Sequence, residues 1–96
     1  MWDLPKTLEI LNLSYNSLKR LNVDVMRKLT NLTTLEISNN GIESLEGLQH
    51  VTRLKRLIAR SNQVQELEPI YDLQRLIEID LENNPIDSAL QVLRSV

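Results

Sequence analysis

The 96-residue chain predicts an α/β solenoid, a stack of short coils with one strand each. Three observations carry that prediction. An eleven-residue phrase recurs at Leu8 to Leu18, Leu32 to Ile42, Leu54 to Val64 and Leu76 to Ile86, reading LEILNLSYNSL, LTTLEISNNGI, LKRLIARSNQV and LIEIDLENNPI. Its starts at 8, 32, 54 and 76 are spaced by 24, 22 and 22 residues. Such a period marks units that cannot bury an apolar face alone and do so by stacking. Within the phrase, residues 34 to 38 alternate polar and apolar, the period of a half-buried strand. An asparagine stands at phrase position nine every time: Asn16, Asn40, Asn62 and Asn84.

Each element follows from these marks. One strand per phrase, all in one direction, gives a short parallel sheet on the inner, concave wall. The asparagines fall where the chain turns off the strand, and an amide carries donors and an acceptor with which to satisfy unpaired backbone. That makes them a structural ladder rather than a ligand site. The outer halves keep apolar residues at Leu18, Leu21 and Leu29, at Ile42, Leu45, Leu48 and Val51, and at Val64, Leu67, Ile70 and Leu73. In the 22-residue units these halves are too short for a long helix, and Pro69 would interrupt one, so turns and brief 3₁₀ pieces are expected. The first unit is two residues longer, and 24–29 has an acidic start and a basic end, which predicts a turn or two of helix. Ala59 replaces leucine at position six, which predicts a thinner core there or compensation by a neighbour such as Ile79.

At the ends, residues 1–7 read as a partial N-terminal repeat, and Leu4-Pro5-Lys6-Thr7 as the tail of a unit upstream. Asp87 can cap a short C-terminal helix over 87–96, with Ala89, Leu90, Leu93 and Val96 at near-helical spacing and Ser88 and Gln91 as a capping-box pair. The expectation is a single domain over 1–96, drawn from a longer protein. Trp2 would anchor the first strand or a unit before it.

This phrase resembles the leucine-rich repeat family, and four tandem copies cover nearly the whole chain. The 22-residue spacing is similar to the intracellular type found in type-1 protein phosphatase regulatory subunits, a spliceosomal protein, and axonemal and tubulin-handling proteins. The resemblance implies a non-catalytic protein-interaction module that binds on its concave sheet; the alternative is a structural segment of a larger cytoskeletal or ciliary assembly. The grid shows no aromatic and acidic cluster of the phosphatase-regulator kind, so that subgroup's binding residues are not carried over.

On this reading, the outward strand positions hold the functional information. Position three carries Ile10, Thr34, Arg56 and Glu78; position five Asn12, Glu36, Ile58 and Asp80; position seven Ser14, Ser38, Arg60 and Glu82; position eight Tyr15, Asn39, Ser61 and Asn83. Strands about 4.8 Å apart place Arg56 beside Glu78 and Arg60 beside Glu82. The interaction patch uses Ile10, Tyr15 and Ile58 as apolar contacts, with Glu36, Glu78, Asp80 and Glu82 selecting a basic protein partner. The competing reading is a solvated face whose charges pair with each other.

Composition narrows the classes. Eleven basic and 13 acidic residues give a net charge of −2, which offers little attraction for a phosphate backbone, so nucleic acid is not an expected partner. With no cysteine there is no disulfide or thiolate metal site, which favours an intracellular, cytoplasmic setting. No apolar run approaches the ~20 residues of a membrane span. No HExxH, Walker loop, GxSxG or GxGxxG is present, so no catalysis, cofactor or small-molecule substrate is expected. His50 lacks companions at ligand spacing. Asn12-Leu13-Ser14 and Asn31-Leu32-Thr33 match a glycosylation sequon, a motif short enough to arise by chance.

Overall fold

The computed structural model describes residues 4–87. Four strands, β1 (Ile10–Asn12), β2 (Thr34–Glu36), β3 (Arg56–Ile58) and β4 (Glu78–Asp80), form one parallel sheet in the order β1-β2-β3-β4. The register matches like positions of the phrase: Leu11 with Leu35, Leu35 with Leu57, and Leu57 with Ile79. Backbone bonding continues past the strands, as from Leu13 N–H to Glu36 carbonyl at 2.8 Å and from Asn39 N–H to Arg60 carbonyl at 2.9 Å.

Helix α1 (Val23–Lys28) lies in the outer half of the first, longer unit, after its strand. Asn22 caps it, its side chain accepting the Val25 N–H at 3.0 Å, with Asp24 in the first turn and Arg27 and Lys28 in the last. The next two units are shorter and make only single 3₁₀ turns, Leu48–His50 and Glu68–Ile70, the second with Pro69 in its first turn. A proline is tolerated there because the first amide of a helix has no internal partner. Helix α1 packs on the first 3₁₀ turn, and that turn on the second.

The core lies between sheet and convex turns. Met26, Leu32, Leu35, Ile37, Ile42, Leu45, Leu48, Val51, Leu54, Leu57 and Val64 are fully buried. Leu18 and Leu67 are half-buried and pack on its margin. Ala59 is also fully buried, whereas Ile79, expected to compensate for its small size, is 48% exposed in the last described strand. The C-terminal helix expected beyond Asp87, including Ser88, Ala89, Leu90, Gln91, Leu93 and Val96, lies outside the described residues, as does Trp2.

Candidate functional site

From Asn40 onward the ladder asparagines bind backbone of their own coil and of the one before. Asn62 is 3% exposed; its Oδ1 accepts the N–H groups of Asn40, Gly41 and Ile42 at 3.1, 2.9 and 3.0 Å. Its Nδ2 donates to the carbonyls of Ile37 and Ala59. Asn40 does the same one coil earlier, accepting from Asn16 and Leu18 and donating to Leu13 and Ile37. Asn84 accepts from Val64 and donates to Ala59 and Leu81, while Asn16 donates to Leu13 and Ser14. Asn62, buried and bonded at both ends of its amide, has no capacity left for a ligand.

A second ladder went unread in the sequence. Ser14 Oγ accepts the Ser38 N–H, and Ser38 Oγ accepts the Arg60 N–H, both at 3.0 Å. Ser38 is only 9% exposed, so the expectation that position seven points outward fails there. The strands are three residues long, and alternation stops governing direction once the chain has left them. Position eight behaves uniformly instead: Tyr15, Asn39, Ser61 and Asn83 all have positive φ, between 56° and 63°. This left-handed step lifts the chain off the strand. Asparagine tolerates it; tyrosine and serine do so at more cost.

The register brings the expected grid together: Ile10, Thr34, Arg56 and Glu78 in one row, Asn12, Glu36, Ile58 and Asp80 in the next. Its two arginines are already engaged. Arg56 Nε lies 3.0 Å from Glu78 Oε2, Arg60 Nε 3.3 Å from Asp80 Oδ2, and Arg60 Nη2 donates to Glu82 Oε2. The hydrogen bond that Arg56 donates to Glu78, then the Glu78 charge, raises the Arg56 pKa; the hydrogen bond that Arg60 donates to Glu82, then the charges of Asp80 and Glu82, raises that of Arg60. Glu36 acts on Arg56 only as a more distant charge. Among the described residues its half-buried carboxylate makes no hydrogen bond and no ion pair.

Glu36 faces a shallow hollow of about 500 Å³ on β1 and β2, lined by Asn12, Ser14, Tyr15, Glu36, Ser38, Asn39 and Arg60. A second hollow of about 480 Å³, over Asn39, Arg60, Ser61, Glu82 and Asn83, adjoins it through Asn39 and Arg60. Tyr15, in the lining of the first, is 78% exposed, and Ile10, on the same strand as Asn12, is 63% exposed. No group of three or more His, Cys, Asp or Glu among the described residues could hold a metal ion. His50 is half-buried and its Nε2 accepts a long bond of 3.4 Å from Arg27 Nε.

Comparison with known proteins agrees with this architecture. A family model described as leucine rich repeat matches residues 6–64, and one of two leucine rich repeat copies matches residues 52–95. Over 89 residues the chain is 34% identical to the geranylgeranyl transferase type-2 subunit alpha of Homo sapiens, covering 90% of this chain and 16% of that protein. It is 41% identical over 66 residues to leucine-rich repeat-containing protein 23 of Xenopus tropicalis, covering 65% of this chain and 19% of that one. The chain thus spans less than a fifth of either curated relative. The crystal structure of an internalin (inlF) from Listeria monocytogenes superposes with a TM-score of 0.75 at 26% identity, over 82% of this chain and 23% of the internalin. With repeating phrase, asparagine ladder, parallel register and family match in agreement, the chain belongs to the leucine-rich repeat family.

Proposed function

We propose that this chain is a non-catalytic module that docks a protein partner with a basic surface on its concave sheet, in a cytoplasmic setting. The observation that carries the reading is the division of labour across the strands. Inward residues and asparagines are committed to the core, whereas the concave rows leave Ile10, Tyr15 and half-buried Ile58 beside an acid-rich array. Four carboxylates, Glu36, Glu78, Asp80 and Glu82, face two guanidiniums, Arg56 and Arg60, so the array carries a net charge of −2. Exposed pairs such as Arg56–Glu78 are worth only about 0 to 1 kcal/mol and exchange readily for a partner's groups. The 22-residue spacing supports placing these repeats with the intracellular type found in type-1 phosphatase regulators. The transferase activity in one relative's name belongs to a protein of which this chain matches 16%.

The test is capture from cell lysate by the chain beside a variant with Glu36, Ile58, Glu78 and Asp80 changed to alanine, with mass-spectrometric identification. A protein held by the first and lost by the second supports concave docking; equal capture by both removes it. A second reading, a structural segment packed within a larger assembly, is favoured by exposed Ile77 (84%) and Ile79 (48%) on the last described coil. Capture that is insensitive to the concave variant and lost on Ile77→Ser would support that reading.

A further inference from the structure

The four concave carboxylates are not equivalent, and the difference specifies what docks. Glu78, Asp80 and Glu82 are bonded to Arg56 or Arg60, so their charge is already shared with a guanidinium and gains less from a partner's cation. Glu36 stands apart on β2, between Asn12 of β1 and Ile58 of β3 in register. It is half-buried and, among the described residues, has no hydrogen-bonding or ion-pairing partner. Half-burial of an unpaired carboxylate raises the gain from bringing a cation to it.

The surroundings fit one kind of occupant. Tyr15 offers an exposed ring on the same hollow, a face for an alkyl stem or a guanidinium plane. The Asn39 amide, also in the lining, makes no side-chain hydrogen bond among the described residues and leaves its oxygen available. The fixed cation of the hollow, Arg60, is held by Asp80 at the end of β4 and by Glu82 just beyond it, so its charge is compensated. The neighbouring Ile10 is apolar and exposed. Resting on the docking reading above, we infer that the hollow of Glu36 and Tyr15 seats a lysine or arginine side chain of an extended protein segment, with an apolar residue of that segment on Ile10. An acidic segment has no free cation here to meet.

The test uses the whole chain as bait for a phage-displayed random heptapeptide library, followed by fluorescence anisotropy with synthetic copies of the enriched peptides. Enriched peptides carry Lys or Arg beside an apolar residue. Glu36→Gln weakens them about fivefold, and replacing the peptide's basic residue by glutamine does the same. Glu43→Gln, an equal charge change on the convex side, leaves affinity within about twofold. Thermal denaturation confirms that each variant folds. Equal losses from Glu36→Gln and Glu43→Gln, a greater loss from Glu82→Gln than from Glu36→Gln, or enrichment of acidic or wholly neutral peptides would each overturn the seat. If no peptide is enriched, or the enriched peptides ignore Tyr15→Ala and Ile58→Ser, the docking reading itself fails. Peptides that respond to those two substitutions but not to Glu36→Gln leave concave docking intact and refute only the seat.

Discussion

Gly47 faces the Met26 side chain where helix α1 meets the first 3₁₀ turn, so that a Cβ on Gly47 would lie 3.2 Å from Met26 Cγ. Gly47 also has φ of 112°, a conformation that side-chain-bearing residues rarely adopt, and Met26 is fully buried. Gly47→Ala therefore meets strain and crowding together and should destabilise by about 1 to 3 kcal/mol. Urea denaturation of wild type and variant measures it; an unchanged midpoint would show that the turn relaxes freely.

The asparagine ladder predicts unequal costs for the same substitution. Asn62→Ala leaves the N–H groups of Asn40, Gly41 and Ile42 without their acceptor in a buried site, so a loss of about 3 kcal/mol or more is expected. Asn16 is exposed and its side chain bonds only to its own turn among the described residues, so Asn16→Ala should cost about 1 kcal/mol or less. The contrast can be read from two denaturation curves.

Tyr15 stands in a left-handed conformation that its repeats elsewhere give to Asn39 and Asn83. Tyr15→Asn should raise stability by about 1 kcal/mol while weakening any peptide bound on the concave face. Opposite signs in calorimetry and anisotropy would show that the tyrosine serves recognition at the expense of the fold.

The raised pKa of Arg60 fixes where its pairing is felt. Stability from a group whose folded pKa lies above its unfolded one is fully present below the unfolded value, and is lost only as pH climbs through the folded value. An arginine is already charged throughout the working range in its ordinary state, so that window lies beyond working pH. The stability difference between wild type and Arg60→Gln should thus be constant from about pH 7 to about pH 9. Chemical denaturation at both ends checks it.

Much of this was legible because spacing fixes register. Matching phrases put Arg56 beside Glu78 and Arg60 beside Glu82, and both contacts form. The first unit's surplus residues went into a helix at Val23–Lys28, as its charge order implied. What pattern could not supply was the behaviour of side chains after the strand ends. Ser38 folds onto the Arg60 N–H instead of facing out, and Arg60 reaches Asp80 as well as Glu82. The left-handed step at position eight was hinted at by Asn39 and Asn83 and hidden by Tyr15 and Ser61. For the site, rows could be read from sequence, but which carboxylate stays unpaired depended on where two arginines swing.

The ladder has a direction, because the oxygen of each asparagine from Asn40 onward serves amides of the coil before it. Peeling a coil away from the C-terminal side strips acceptors from N–H groups that stay behind. Peeling from the N-terminal side leaves behind asparagine oxygens, while each asparagine Nδ2 that reached back keeps a carbonyl of its own coil, and an under-satisfied oxygen is better tolerated than an orphaned N–H. Mechanically, the stack is a zipper with unlike ends: pulled from the N-terminus it should yield coil by coil, and from the C-terminus it should resist and then give way more abruptly.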